Sequence, residues 1–366
     1  MNLFLGLFFL SGFCSLVYEV VWLRLAMGVF GVTAPFVSLF LSVFMVGLGL
    51  GSWGAGRLCK RLETKPASYA LRFYAGAELL IALSALVVPF LLSVSRHRLA
   101  DLFGDVAWGS FGYYWASGLC TALILIPWCA CMGATFPLAM AAIEKRFKGQ
   151  SSNSFSSLYL ANIFGAGLGT LVSAFVLIEL YGFRGTLSLS AGLNIAIAAV
   201  AIAASFSRSM RVSRVEAKAQ PSAPRADGAA RPGTLLLLFM TGLISMAMEI
   251  VWTRQFTPYL GNTVYAFATV LAAYLLATFV GSCLYRALLA KSGVQYDAAW
   301  MLSGALSLLP LYAVDPYLPL NVFVRIGVGI VPFCLVLGFL TPAIIDRWSA
   351  GNPGRAGTAY AVNIFG

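Results

Sequence analysis

Residues 8–25 read FFLSGFCSLVYEVVWLRL, a largely apolar stretch with one Glu and one Arg. It belongs to an apolar run over residues 3–28. An α-helix needs about 20 apolar residues to cross a bilayer, so this run is long enough. The run is continuous, whereas strands of outer-membrane barrels alternate apolar and polar residues over about 10 positions. The stretch therefore predicts a membrane-spanning helix, and its internal carboxylate, Glu19, is a candidate functional residue.

The composition extends this prediction to the whole chain. Of the 366 residues, 60% are hydrophobic and only 10% are charged, whereas soluble globular proteins are about 45–50% apolar and about 25% charged. Intrinsic disorder is excluded as well, because it requires low hydrophobicity and high net charge. The sequence predicts an all-α polytopic membrane protein, with the lipid bilayer as a partner.

Further apolar runs predict ten membrane-spanning helices and the start of an eleventh. We expect them at about 3–28, 34–56, 69–94, 110–143, 155–180, 185–207, 234–258, 263–285, 298–314, 318–345 and from 358 onward. Residues 208–233, between the sixth and seventh runs, are rich in Arg, Ala, Pro and Ser. This stretch shows no apolar periodicity, so we expect a linker there.

The formal net charge is +11, from 24 Lys and Arg against 13 Asp and Glu. The predicted loops on one side of the membrane carry only Arg96, Arg98 and Arg184, and most other loop cations lie on the opposite side, with the linker. Because loops rich in Lys and Arg stay in the cytoplasm, we expect a multi-pass protein of the bacterial inner membrane with a cytoplasmic N-terminus. Topology explains the charge, and no nucleic-acid partner is expected.

No metal or other cofactor is expected. The cysteines lie mostly in apolar runs, where cysteine acts as a small hydrophobe. Cys129 and Cys131 are too closely spaced for a Cys-x-x-Cys site, and His97 is the single histidine. One histidine is too few for a histidine-based metal site.

An internal repeat is the strongest pattern in the chain. Four blocks recur in the same order, pairing Gly12, Ser15, Glu19, Trp22 and Arg24 with Gly242, Ser245, Glu249, Trp252 and Arg254, Gly51-Ser52 with Gly281-Ser282, Pro127, Gly133 and Pro137 with Pro332, Gly338 and Pro342, and Tyr159, Asn162 and Gly165 with Tyr360, Asn363 and Gly366.

The two repeats are expected to be parallel, because an even number of spans precedes the second one. Parallel six-helix repeats are the architecture of major facilitator superfamily (MFS) transporters. We expect the first repeat at 1–207, the cytoplasmic linker at 208–233 and the second repeat, of about four to five helices, at 234–366. Because Gly366 corresponds to Gly165, the second repeat is expected to be truncated by roughly 40 residues.

Several motifs together resemble the membrane portion of bacterial fused MFS/spermidine synthase-like proteins. The resemblance covers essentially the whole chain. It is carried by FFLSGFCSLVYEVVWLRL at 8–25, GLGLGSWGAGRL at 47–58, RFYAGAELLIAL at 72–83, IPWCACMGATFPLA at 126–139 and YLANIFGAGLGTLVSAF at 159–175.

In that family an aminopropyltransferase-like Rossmann domain follows the helices in the cytoplasm. The resemblance therefore implies an enzyme domain beyond Gly366 and a membrane unit that anchors it and transports or senses a polyamine-type substrate. The 366 residues contain no Gly-Gly-x-Asp-Gly-Gly run, so no catalytic residue is assigned among them. The alternative is a stand-alone proton-coupled secondary transporter of a small cationic solute, and a purely structural anchor is a third hypothesis.

Glu19 and Glu249 are equivalent carboxylates inside predicted spans. Each costs about 2.5–3.5 kcal/mol to insert, so each requires an explanation. They are candidates for binding a proton, a cation or an ammonium-bearing solute in a cavity between the repeats. The other interpretation is a packing role, through hydrogen bonds or an Arg partner on a neighbouring helix.

Glu78 is the strongest single candidate, with Tyr74 in the same motif. Its predicted depth of about 13 Å places it near the midplane of the bilayer, where transporters bind their substrates. The corresponding second-repeat stretch, 298–305, contains no acid. Asn162, like Asn363, is expected to hydrogen-bond between helices, and a substrate role for it is the less favoured alternative.

Three further patterns are expected to be structural. Trp22 and Trp252 lie at a depth typical of interfacial aromatic anchors, and Arg24 and Arg254 are close enough to the same interface to reach lipid phosphates. The Gly-x-Gly-x-Gly patterns at 47–51 and 165–169 lie within apolar runs. They therefore predict close helix packing rather than a phosphate-binding loop.

Overall fold

The computed structural model describes residues 2–103, 110–146, 154–206, 233–261, 263–288 and 296–366. All regular secondary structure in these ranges is helical. The predicted linker lies outside the described residues except for Gly233, which begins a helix. The helices are α1 (Asn2–Phe30), α2 (Ala34–Leu62), α3 (Ala67–Phe103), α4 (Phe111–Arg146), α5 (Ser154–Val172), a π-helical segment (Ser173–Leu177), α6 (Ile178–Phe206), α7 (Gly233–Leu260), α8 (Thr263–Leu288), α9 (Tyr296–Leu306), α10 (Leu309–Ala313), α11 (Val322–Gly329), α12 (Val331–Ser349) and α13 (Pro353–Phe365).

Eight helical stretches in the described ranges are long and apolar enough to cross a membrane. One of them, 155–206, has 52 residues and would be about 78 Å long if straight, more than twice the thickness of a hydrocarbon core. It is broken at Gly182, which has a φ of 64°. Glycine adopts this backbone conformation without steric strain. The start of α5 lies beside Phe136 and the end of α6 lies beside Arg72, two residues at the same end of the bundle, so the chain reverses there. The separate spans predicted on either side of this residue are therefore observed.

The ninth and tenth predicted spans are each divided in two. The run at 298–314 forms α9 and α10, and the run at 318–345 forms α11 and α12. Pro310 and Pro332 stand in the first turns of α10 and α12. A proline lacks the N–H that would continue the preceding helix, so each new helix begins one residue before its proline.

Repeated glycines mark the places where helix backbones cross most closely. A Cβ atom added at Gly12 would overlap the carbonyl oxygen of Asn162, and one at Gly242 would overlap that of Asn363. These contacts join α1 to α5 and α7 to α13. Because the contact partners are themselves equivalent in the repeat, both halves are built around the same crossing.

The Gly-x-Gly-x-Gly pattern of α2 forms a second crossing. Added Cβ atoms at Gly47 and Gly51 would overlap Cys129 and the Ala130 carbonyl of α4, and Gly281 of α8 meets the Leu335 carbonyl of α12 in the same way. The prediction of close helix packing is confirmed. Small residues are the usual device for helix association in lipid, where no hydrophobic force drives helices together.

The two halves meet along two helix pairs, α2 with α13 and α5 with α8. We name the end of the bundle where α1 begins and α2 ends the basal end, and the opposite end the distal end. At the basal end the Ser52 hydroxyl donates to the Gly357 carbonyl at 3.0 Å. The rings of Phe136 and Tyr360 lie 5.2 Å apart there. The halves are therefore in direct contact below the middle of the bundle.

Arg325 organises the distal turn between α10 and α11. Its guanidinium is buried and donates to four backbone carbonyl oxygens, those of Ala313, Asp315, Leu318 and Leu320, at 2.7–3.0 Å. It also lies 4.4 Å from the centre of the Tyr259 ring on α7. One side chain thus satisfies the backbone of a whole turn and ties it to the next helix.

We expect Arg325→Lys to destabilise the protein by about 2 kcal/mol or more. Lysine keeps the charge but lacks the fork of donors, and each hydrogen bond to a charged group is worth about 1.5–3 kcal/mol. The measurement is thermal unfolding in lipid nanodiscs, with Arg184→Lys, at an exposed position, as control. Equal melting temperatures for the two variants would contradict the assignment.

Candidate functional site

A cavity of about 200 Å³ lies between the two halves, near the middle of the bundle. Its walls come from α1, α2, α4 and α5 of the first half and from α7, α8, α12 and α13 of the second. The helices that cross at the repeated glycines therefore also supply the cavity walls. This placement follows from the crossings, because each fixes which side chains of its helices point between the halves.

Glu19 and Glu249 both line this cavity. They stand two turns beyond the glycines of the α1–α5 and α7–α13 crossings, one in each half of the bundle. Each residue is almost fully buried, and one carboxylate oxygen of each lacks a hydrogen-bond partner. The two carboxylates are thus brought together from opposite halves of the bundle.

The residues that line the cavity include no Lys, Arg or His. The described part of the chain shows neither carboxylate paired with an arginine. The packing role considered for Glu19 and Glu249 required such a partner or hydrogen bonds to neighbouring helices. The cavity instead presents two acids without a protein counter-charge, and such groups are costly to bury unless a ligand or a proton neutralises them.

Tyrosines form much of the remaining polar wall. Tyr159, Tyr274 and Tyr360 line the cavity, and the Tyr274 hydroxyl lies 2.7 Å from that of Ser245. Faces of aromatic rings attract organic cations. The chemistry of the cavity therefore favours a positively charged ligand with apolar parts.

Asn162 lines the same cavity and lies against Gly12. Its equivalent, Asn363, donates to the Leu238 carbonyl and the Thr241 hydroxyl, both at 2.9 Å. The interhelical hydrogen bond predicted for Asn363 is confirmed. For Asn162 the described residues show no such bond, and its role as a ligand-binding residue stays a prediction.

Glu78 and Tyr74 do not reach this cavity. Both are buried within the first half, where the Ser11 hydroxyl donates to Glu78 Oε1 at 2.8 Å and the Tyr74 ring stacks on Phe8 at 6.0 Å. The predicted candidates therefore divide into two groups, one between the halves and one inside the first half. A functional role for Glu78 and Tyr74 stays a prediction.

The interfacial role predicted for Trp22 and Trp252 is wrong. Both side chains are fully buried, with Trp22 5.1 Å from the Tyr18 ring and Trp252 5.8 Å from the Phe333 ring. Sequence position gives the depth of a residue in a helix, but not the side of the helix that faces lipid. The tryptophans occupy the inner side and pack the core of each half.

Arg24 is also engaged within the protein. It donates to the Ala174 carbonyl at 3.3 Å and lies 5.2 Å from the centre of the Tyr265 ring on α8. The Tyr265 hydroxyl in turn donates to Glu179 at 2.8 Å. Arg24 therefore links the halves at the distal end rather than extending alone to lipid phosphates.

A polar cluster at the basal end, the basal clamp, was missed in the sequence. It consists of Asp346 on α12, Tyr285 and Arg286 on α8, and Ser156 and Ser157 on α5. Asp346 is buried and accepts from the Ser156 backbone N–H and the Tyr285 hydroxyl, each at 3.4 Å. Arg286 donates to both serine hydroxyls. The predicted tenth span ends at 345, which places Asp346 just outside it. Nothing in the sequence therefore indicates that the Asp346 side chain is buried.

The distal end also has a crevice between the halves, on the side of α2 and α7. This crevice of about 200 Å³ between the start of α2 and the end of α7 is lined by residues that include Ser38, Ile250, Arg254 and Thr257. Arg254 is exposed there. The halves are therefore joined by the basal clamp at one end and by Arg24 and Tyr265 at the other, with a crevice beside the distal link.

Known transporters share this architecture. A bacterial homologue of the iron transporter ferroportin, in an outward-facing state, matches with a TM-score of 0.59 at 12% identity over 98% of this chain and 88% of that chain. The nucleoside transporter NupG matches with a TM-score of 0.55 at 14% identity, covering 100% of this chain and 89% of that one. An auto-inhibited POT family peptide transporter matches with a TM-score of 0.52 at 13% identity, covering 100% of this chain and 86% of that one. The chain has the all-helical fold of MFS-type membrane transporters.

One curated protein adds a similarity in sequence. Polyamine aminopropyltransferase 2 of Streptomyces coelicolor (strain ATCC BAA-471 / A3(2) / M145) is 28% identical over 205 residues, which are 55% of this chain and 34% of that protein. The chain therefore spans about a third of the length of this relative. No family model matches the chain.

We expect Asp346→Asn to loosen the basal clamp. Replacing a charged acceptor by an amide weakens bonds worth about 1.5–3 kcal/mol, which predicts roughly tenfold faster or greater amide hydrogen exchange in the first turn of α5. The measurement is hydrogen–deuterium exchange by mass spectrometry. Asp315→Asn, which removes a local distal acceptor, is the control. Unchanged exchange at 155–158 in Asp346→Asn would show that this carboxylate does not hold the basal end together.

Proposed function

We propose that this protein binds a small organic cation of the polyamine type between its halves and carries it across the bacterial inner membrane. The observation that carries the proposal is the pair Glu19 and Glu249, which face one cavity without a basic residue among its lining. A linear di- or polyamine has two or more ammonium groups. Such a solute matches one carboxylate from each half.

The rest of the cavity suits the remainder of such a molecule. The rings of Tyr159, Tyr274 and Tyr360 offer faces to an alkylammonium, and Leu48 and Leu271 offer apolar contacts to methylene groups. The volume of about 200 Å³ limits the bound part to a small solute.

The fold supplies a route for the solute. In transporters of this architecture, two halves rock around a binding site near the midplane, so that the site opens to each side in turn. The basal clamp fits a form closed at the basal end. In this proposal the basal end is cytoplasmic, as the distribution of loop cations predicts.

The curated relative supports the polyamine assignment, since its name describes an aminopropyltransferase. We infer that this chain is the membrane unit of a spermidine synthase-like fusion protein, which anchors the enzyme and transports its substrate or product. The second candidate is a stand-alone proton-coupled transporter of a small cationic solute. It rests on the same two carboxylates, which would hold a proton and the solute alternately.

Glu19→Gln and Glu249→Gln are each expected to weaken binding of radiolabelled putrescine and spermidine by about tenfold or more. Each change removes a charge-assisted contact of about 1.5–3 kcal/mol. The double variant is expected to show no saturable binding. The measurement is equilibrium binding to the purified chain in nanodiscs, with Glu63→Gln, an exposed acid at the end of α2, as control. Unchanged affinity in the double variant would refute the cavity assignment.

Counterflow in proteoliposomes separates the two candidates from a passive anchor. We expect labelled putrescine to exchange across the membrane in wild-type vesicles and not in the double variant. Acceleration by an imposed proton gradient would support the proton-coupled candidate. Saturable binding without exchange would leave a sensing role and contradict transport.

A further inference from the structure

Five buried oxygen atoms without hydrogen-bond partners lie on three helices of the first half. They are Tyr18 Oη, Tyr74 Oη, Glu78 Oε2, Ser190 Oγ and Asn194 Oδ1. Each belongs to a residue whose side chain is at most 2% exposed. Buried polar atoms are normally paired, so a concentration of unpaired oxygens in one region calls for a ligand.

Contacts between the helices bring these atoms to one level. The Ser11–Glu78 hydrogen bond and the Phe8–Tyr74 stack show that α1 and α3 run side by side in the same direction. Tyr74 precedes Glu78 by one turn, so the two side chains lie on the same face of α3. Three groups, from Ser11, Tyr74 and Glu78, therefore converge between α1 and α3.

Helix α6 closes the third side and runs in the opposite direction. Its end lies beside the start of α3, where Arg72 is 5.0 Å from the centre of the Phe206 ring. Higher up, the Cys14 thiol contacts the Ser190 carbonyl at 3.7 Å. Asn194 follows Ser190 by one turn, about 6 Å along the axis. This step carries the Asn194 amide down to the level of Ser11 and Glu78.

We propose that the oxygens of Glu78, Tyr74, Asn194, Ser190 and Ser11 form a binding site for one dehydrated Na⁺ ion inside the first half. Each of these groups would bind the ion through an oxygen atom, and oxygen is the ligand atom that hard cations prefer. The single carboxylate balances a single positive charge, whereas a divalent ion would remain charged in a region of low dielectric constant. No Lys, Arg or His is among the groups that converge here.

This site is separate from the cavity between the halves. The two share α1, which presents Ser11, Cys14 and Tyr18 to the site within the first half and Ser15 and Glu19 to the central cavity. An ion held by Glu78 would fix α1 against α3 and α6. It would thereby position the face of α1 that carries Glu19. The proposal itself does not depend on the solute that the central cavity binds.

The test is binding of ²²Na⁺ to the purified full chain in nanodiscs, together with thermal unfolding in NaCl and in choline chloride at equal ionic strength. We expect saturable ²²Na⁺ binding and a Na⁺-specific rise of the melting temperature on the order of 3–5 °C. Glu78→Gln and Asn194→Leu are expected to lose both. Ser190→Ala, a smaller change, is expected to weaken ²²Na⁺ binding several-fold and guards against a folding defect in the other variants.

Glu249→Gln is the matched control, since it removes an equally buried carboxylate from the central cavity. It is expected to weaken putrescine binding and to keep the ²²Na⁺ site. Absence of saturable ²²Na⁺ binding in the wild-type chain would overturn the proposal and leave a protonated carboxyl group with enclosed water. Loss of ²²Na⁺ binding in Glu249→Gln but not in Glu78→Gln would assign the ion to the central cavity and equally overturn it.

Discussion

The close approach of helix backbones at repeated glycines is the constraint on which the rest of the structure depends. In lipid, helices gain little from apolar side chains that contact each other instead of acyl chains, so contact between backbones has to hold them together. Gly12 and Gly242 make that contact against the carbonyl groups of Asn162 and Asn363. Once α1 is set on α5 and α7 on α13, Glu19 and Glu249 point between the halves.

That placement has an electrostatic consequence. Two carboxylates held in one enclosed volume repel each other when both are charged, and neither has an arginine partner in the described part of the chain. Packing alone gains nothing from such a pair, since a leucine at each position would be cheaper to bury. A ligand that brings positive charge turns the same pair into a favourable site, which is why the pair argues for binding rather than for scaffold.

Much of the fold could be predicted from the sequence, because its determinants are local. Run length gives the spans, including the separate fifth and sixth spans on either side of Gly182. The repeat gave the equivalence of Glu19 and Glu249, but it could not give their distance from Glu78, which depends on how each helix is rotated about its axis. Trp22 was misplaced for the same reason. Asp346 and Arg325 act through carbonyl groups and hydroxyls of distant segments, which leave no pattern in the residues around them.

The rotation of α1 finally explains why one helix can serve two polar regions. Ser11, Cys14 and Tyr18 follow one another at intervals of three and four residues, and so form one stripe along the helix. Ser15 and Glu19 are each one residue later than Cys14 and Tyr18, and form a second stripe beside the first. The first stripe contacts α3 and α6 and the second faces the other half. A charge bound on either side therefore acts on the same rigid element. In the second half, the stretch at 298–305, which corresponds to the residues around Glu78, contains no acid.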